Sequence, residues 1–187
     1  PYEEKIGEAA FYGPKLDFQV RPAVGNEFSL STCQIDFCLP AKFDLTYIDK
    51  DGEKKTPVVL HRAVFGSLDR TIAYYLEETK GALPVWLAPT QVVVIPVNSE
   101  YQGDYAQEIN DLLKKEGIRV KLDNRNEKLG YRLREAPTKK IPYTLILGDQ
   151  EKTNQTISYR LFGEKETTTV STEEFIAHLQ EQIKNKK

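Results

Sequence analysis

Methionine is absent from the 187 residues, and tryptophan, cysteine and histidine are scarce: one Trp, two Cys and two His. A natural translation product begins with Met unless processed, so a chain opening on Pro1 with no Met is expected to be an interior and C-terminal piece of a longer protein. Cys33 and Cys38 are an odd number of residues apart, which on an extended strand directs them to opposite faces and argues against a bridge. No CxxC pair and no Cys/His cluster occurs, so a self-contained zinc finger is excluded and a reducing compartment is expected. No apolar run approaches the roughly 20 residues that cross a bilayer, and no basic-apolar leader precedes a cleavage site. The expected setting is cytoplasmic, with no membrane partner.

What is present has the balance of an ordinary globular protein: 40% apolar, 29% charged, with 10 Tyr and 8 Phe. The net charge of −2 conceals a local bias, because residues 119–140 carry Arg119, Lys121, Arg125, Lys128, Arg132, Arg134, Lys139 and Lys140 against three acids. Such a segment can serve nucleic acid even when the whole chain is acidic.

The pattern along the chain changes once. Leu16-Asp17-Phe18-Gln19-Val20 alternates, residues 24–27 form a turn, and residues 28–39 run extended, as in antiparallel β structure. Asp49-Lys50-Asp51-Gly52 predicts a hairpin joining residues 45–48 to residues 57–60. From Leu68 the period becomes helical, with Leu68, Ile72, Tyr75 and Leu76 on one face, Ser67 able to cap and Gly81 at the end. A Pro-bounded connection at residues 82–89 suggests a domain boundary, dividing the chain into 1–84 and 85–187. Beyond it strands at 91–97, 118–122 and 143–147 alternate with helices at 104–116 and 127–136. A strand pair at 157–161 and 167–170 and a last helix, Thr172–Lys184, follow. That order predicts an α/β domain with a mostly parallel sheet, after a first half of antiparallel sheet.

Several residues can carry chemistry. His61 ends an apolar strand, where it is either a hydrogen-bonded core histidine or a ligand. Gly66-Ser67-Leu68-Asp69-Arg70 is a turn opening a helix; Arg70 is either in a salt bridge or poised for a phosphate, with the Gly66 and Ser67 N–H groups adding to an anion site. Thr32, Gln34 and Asp36 share one strand face at period two, and a polar inward face suggests the floor of a site; Asp36 could equally be a cap. Tyr12 offers either turn packing or a phenolic donor, and Lys15 either a surface charge or a site residue. Arg125, Lys128 and Arg132 are expected near one face of a helix whose Leu129, Leu133 and Ala136 pack inward.

Taken together, Phe11-Tyr12-Gly13-Pro14-Lys15, Cys33-Gln34-Ile35-Asp36-Phe37, the run from Val59 to Arg70 and Trp86-Leu87-Ala88-Pro89 resemble the bacterial threonyl-tRNA synthetases, a class II family. The resemblance covers essentially the whole chain, but only the C-terminal part of such an enzyme. It implies part of the antiparallel class II catalytic sheet ending at motif 3, followed by an anticodon-binding domain. The implied activity is ATP-dependent activation of threonine and its transfer to threonine tRNA by a homodimer. Motifs 1 and 2 are absent, so the fragment alone is expected to be inactive.

The resemblance implies roles as well. Arg70, Gln34 and Tyr12 are the implied catalytic group. Thr32, Gly66, Ser67 and Arg70 are the implied contacts to ATP, with Mg2+ bridging its phosphates. Tyr12 and Gln34 are the implied contacts to L-threonine. His61-Arg62-Ala63 matches the place of one of three zinc ligands, the other two lying upstream of Pro1 in the family. Zinc can take both the amino and hydroxyl groups of threonine, and a site built around that hydroxyl rejects valine. Ser29-Leu30-Ser31 departs from the family's commoner Gln-Cys-Gly, so no ATP contacts are carried over there. Asp123-Asn124-Arg125-Asn126-Glu127-Lys128 matches an Asp-x-Arg-Asn-Glu-Lys motif, which implies an anticodon face of Asn126, Glu151 and Arg160 with Arg125 and Lys128. The alternative is a non-catalytic RNA-binding or regulatory module on the same fold.

Overall fold

Alternation at the start of the chain becomes strand β1 (Lys15–Val20), which pairs antiparallel with the long β2 (Phe28–Asp36). In a computed structural model describing residues 2–187, two units are distinct, one ending at Lys80 and one beginning at Gly81. In the first unit β2 is the central strand, because its other edge pairs antiparallel with β5 (Val59–Ala63). Between them lie the short helix α1 (Leu39–Lys42) and a two-residue ribbon, β3 (Tyr47–Ile48) with β4 (Lys54–Lys55).

The expected hairpin is therefore corrected. The 49–52 turn forms, with Gly52 at φ 81°, and Lys55 Nζ bonds both Asp49 and Asp51. It joins Tyr47–Ile48 to Lys54–Lys55 rather than to residues 57–60. Pro57 cannot donate to a ladder, and residues 59 onward find the free edge of β2 instead.

Helix α2 (Leu68–Glu78) begins where its period does, but Ser67 makes no side-chain cap. The first turn is held instead by the Thr71 hydroxyl donating to Phe65 O at 2.6 Å. Its apolar stripe is uncovered: Leu68 is 66% exposed and Ile72 48%. Among the described residues of this unit only Asp36 and Pro40 are buried. An amphipathic helix and a sheet are thus present without the enclosed core that normally stabilises them.

The second unit has that core. Its sheet runs β10-β9-β8-β6-β7. β6 (Val92–Pro96) lies parallel to β7 (Val120–Leu122) and to β8 (Tyr143–Leu147), while β9 (Thr156–Leu161) and β10 (Thr168–Ser171) extend it antiparallel. The sheet is mixed, the final two strands being the pair expected from the sequence. Apolar residues run continuously through β6 because both faces are covered. On one face, Val92, Val94, Leu145 and Ile157 pack with Tyr105, Ile109 and Leu113 of α3 (Ser99–Lys115) and with Phe175 and Leu179 of α6 (Thr172–Lys184). On the other, Val93 and Ile95 meet Leu129, Leu133 and Ala136 of α4 (Leu129–Thr138).

Helix boundaries follow their caps. Helix α3 starts before residue 104 because Asn98 accepts from Glu100 N at 2.8 Å and Gln102 accepts from Asn98 N at 2.8 Å. Helix α6 opens on a reciprocal Ser171–Glu174 cap. The short α5 (Asp149–Asn154) was not expected. No helix among the described residues is long and apolar enough to cross a membrane.

Candidate functional site

The first unit brings three separate segments together over β2. Gly13 lets the 11–14 segment lie against that strand, since a Cβ there would sit 2.1 Å from Ile35 O. Tyr12 O accepts from Phe37 N at 3.0 Å and Pro14 O from Ile35 N at 3.0 Å. The Tyr12 hydroxyl donates to Gln34 Oε1 at 2.6 Å, so the Gln34 amide N–H groups remain to serve a ligand. Across the β2–β5 ladder Gln34 is opposite His61. The Tyr12 and His61 rings meet edge-on, 6.0 Å between centroids.

His61 is tied down by Asp36, whose Oδ2 lies 2.8 Å from Nε2. Asp36 is fully buried, and its Oδ1 accepts from Cys38 N at 2.8 Å and Leu39 N at 2.9 Å. Burial pushes its carboxyl up, but the hydrogen bonds from His61, Leu39 N and Cys38 N outweigh that and hold it below the usual carboxylate range. The capping alternative for Asp36 is thus the one observed, and the residue lies on the β2 face of Thr32 and Gln34. Thr32 donates its hydroxyl to Asp17 at 2.6 Å, and Lys15 pairs with Asp17 at 2.7 Å. Lys15, and then Thr32, hold the Asp17 carboxyl down. Thr32 is thus left to offer a ligand acceptor lone pairs rather than its proton.

Gly66, Ser67 and Arg70 gather at the other end of β2. Gly66 has φ 59°, and a Cβ there would sit 2.7 Å from Leu30 O. Ser67 is exposed beside it. Arg70 is exposed too; its guanidinium lies 5.8 Å from the Phe28 ring centroid, and it has no carboxylate partner among the described residues. The β1–β2 pairing skips Leu30, so Ser29 rather than Phe28 falls on the face of Thr32 and Gln34. Nothing in the local alternation reveals that skip.

In the second unit the loops after β6, β7 and β8 emerge at one edge of the sheet, where α/β sheets receive ligands. The expected basic stripe does not form there. Arg132 is only 2% exposed and donates to Asp123 O at 2.9 Å, Glu127 O at 3.2 Å and Val97 O at 3.3 Å, stitching two of these loops together. Arg125 precedes α4 rather than lying on it. It grips Asp123 through Nε at 2.8 Å and Nη2 at 2.6 Å, and also reaches Glu135. Those two carboxylates raise the Arg125 pKa, Asp123 most. Conversely Arg125 outweighs burial and keeps the Asp123 carboxyl low. Helical periodicity assumed a helix reaching back to residue 127; the loop instead needs arginines to satisfy its own carbonyls and acid.

Glu127 N bonds Arg125 O at 2.8 Å, a tight turn that leaves Asn126 at its tip, exposed, with Lys128 exposed beyond it. Glu151 sits at the start of α5. Its Oε2 accepts from Gly148 N at 2.8 Å and its Oε1 from Ser158 at 2.6 Å. Burial raises its carboxyl, yet the Ser158 and Gly148 donors bring it below the usual value, so it stays an acceptor. Ser158 is also 2.7 Å from the Thr169 hydroxyl. Arg160, two residues along β9 on the face of Ser158, reaches Thr167 at 3.4 Å, while its Nε is buried without a partner.

Sequence reasoning missed Asn98, Gln102, Asp149, Ser158 and Thr169. Gln102 donates to Asp149 at 2.5 Å and so locks α3 to α5 beside these loops. Asn98 ahead of Ser-Glu was a readable cap; Gly103 disguised it.

Residues 3–79 match the family described as the tRNA synthetase class II core domain (G, H, P, S and T). Residues 91–182 match the anticodon binding domain. Over its full 187 residues the chain is 56% identical to a threonine–tRNA ligase of Staphylococcus carnosus (strain TM300), and over 186 residues 54% identical to one of Staphylococcus epidermidis. It covers 29% of the length of each relative. The crystal structure of the RNA binding domain of threonyl-tRNA synthetase from Cryptosporidium parvum Iowa II superposes on 94% of the chain with TM-score 0.87 at 30% identity, over 44% of that chain. The chain thus joins a region that matches the class II tRNA synthetase core domain to one that matches an anticodon binding domain, and along its length it is similar to threonine–tRNA ligases.

Proposed function

We propose that this chain acts within a longer threonine–tRNA ligase, which activates L-threonine with ATP and transfers it to threonine tRNA. The observation that carries the reading is the convergence of Tyr12, Gln34 and His61 from three segments onto one face of β2 and β5. Tyr12 holds Gln34 so that its amide donors meet the oxygen atoms of a small substrate. Arg70 grips the triphosphate with its planar fork, helped by the N–H groups of Gly66 and Ser67, while Thr32 accepts from the nucleotide. Magnesium neutralises phosphate charge when ATP is bound.

His61 is the zinc ligand of this chain. Its Nε2 is engaged by a buried carboxylate, the arrangement metal-binding histidines adopt, and its ring stands 41% exposed. Among the described residues no group of three His, Cys, Asp or Glu could hold a metal, so His61 contributes one ligand of a larger set. The whole protein is a cytoplasmic homodimer, and the catalytic share of this chain spans residues 1–84.

Residues 85–187 read the anticodon. Asn126 presents an amide at a loop tip, Glu151 keeps an ionised carboxylate, and Arg160 lies on β9 on the face of Ser158, which bonds Glu151. Base discrimination rests on these three, and Lys128 adds a phosphate contact. Arg125 contributes less to phosphate binding, since its charge is matched by Asp123 and Glu135. Binding of anticodon stem-loops to the chain tests this. Asn126→Ala should cost about 1–3 kcal/mol for the threonine anticodon and relax discrimination against a swapped base. Lys128→Ala should weaken all stem-loops alike and flatten the salt dependence. Undiminished discrimination by Asn126→Ala would remove this loop from the reading face.

A further inference from the structure

We propose that Asp36 is a positioning residue for the metal site, holding the His61 proton on Nε2 so that Nδ1 is the atom offered to the metal. This rests on the reading of His61 as a zinc ligand. A neutral imidazole has one N–H donor and one lone pair, and which nitrogen carries the proton is decided by what faces it. An ionised carboxylate only accepts. With Asp36 Oδ2 2.8 Å from Nε2, the proton belongs on Nε2 and the lone pair on Nδ1.

The carboxylate is itself fixed. It is fully buried, and its Oδ1 is pinned by the Cys38 and Leu39 backbone N–H groups at 2.8 and 2.9 Å. These bonds leave Oδ2 no freedom to swing away from the histidine. The Tyr12 ring packs edge-on against the imidazole, 6.0 Å between centroids. Capping alone would account for Oδ1, and an asparagine would cap as well. It does not account for a buried charge whose second oxygen is spent on the only histidine of this unit.

That difference supplies the test. Asp36→Asn in the full-length protein keeps an oxygen for Cys38 and Leu39 N–H but turns an amide N–H toward His61. Nε2 must then accept, the proton moves to Nδ1, and the coordinating lone pair is lost. Zinc affinity, read by chelator competition, should fall about 10–100-fold, as for loss of a carboxylate behind a metal-binding histidine. The thermal midpoint should stay near that of the parent. Long-range proton–nitrogen correlation in histidine-labelled, metal-free protein should show the Nε2–H tautomer for His61 in the parent and Nδ1–H in Asp36→Asn. His61→Ala, measured alongside, should lose zinc outright. If His61→Ala loses zinc and Asp36→Asn binds it as tightly as the parent, Asp36 is only a cap and the proposal falls while the ligand reading stands. An Nδ1–H tautomer in the parent would also overturn it. Full zinc content in His61→Ala would overturn both.

Discussion

Arg70→Ala in the full-length protein should lower threonine-dependent ATP–pyrophosphate exchange by about 10²–10³-fold, with little change in stability. The asymmetry follows from what Arg70 touches. It is exposed, lies over the Phe28 ring at 5.8 Å, and has no ionic partner among the described residues. An exposed cation–π contact is worth about 0.5–1 kcal/mol, so folding loses little. Adenylate formation displaces pyrophosphate at the α-phosphate, and charge redistributes over oxygens that a preorganised guanidinium can meet. Arg70→Lys should recover little, because an ammonium lacks the two-pronged geometry. Exchange rates and urea unfolding on the same preparations separate the effects. A variant that exchanges normally would take Arg70 out of the ATP site.

The second large effect belongs to stability. Arg132→Ala should destabilise the unit beginning at Gly81 by about 2–4 kcal/mol. The arginine satisfies the carbonyls of Asp123, Glu127 and Val97 and is 2% exposed. The Asp123 carbonyl, buried, costs about 1–3 kcal/mol when left unpaired, and the Glu127 and Val97 carbonyls cost less because water reaches those exposed residues. The loops after β6 and β7 would also lose their common tie, so anticodon affinity should fall with stability. Lys128→Ala, at an exposed position, is the control. Urea midpoints differing by less than the equivalent of about 0.5 kcal/mol between the two variants would show that Arg132 does not hold these loops.

The sequence disclosed most where one local signal sufficed. β8 and α6 have the bounds expected from an apolar run and from a helical stripe. Non-local pairing was less legible. The 49–52 turn was visible, but not which strand would take residues 59–63, because that depends on the free edge of β2. Helix α5 is too short for periodicity to mark it. The basic segment misled for a different reason. Charge spacing cannot tell a solvent-facing arginine from one turned inward to bond carbonyls, and Arg132 is the latter. At the candidate site, Tyr12, Gln34 and His61 were identifiable through the resemblance. Their joining through a 2.6 Å hydrogen bond and the Asp36 pair needed coordinates.

The exposed stripe of α2 and the well-filled core of the second unit bear on how any activity must be measured. A sheet and helix with so little enclosed apolar surface need further apolar surface against them to be held firmly. The most direct test of the central claim is therefore ATP–pyrophosphate exchange by the full-length protein with threonine, compared with valine. The account predicts robust exchange with threonine and about 10⁴-fold less with valine, which cannot satisfy groups placed for a hydroxyl. No exchange with threonine, or equal exchange with valine, would contradict it.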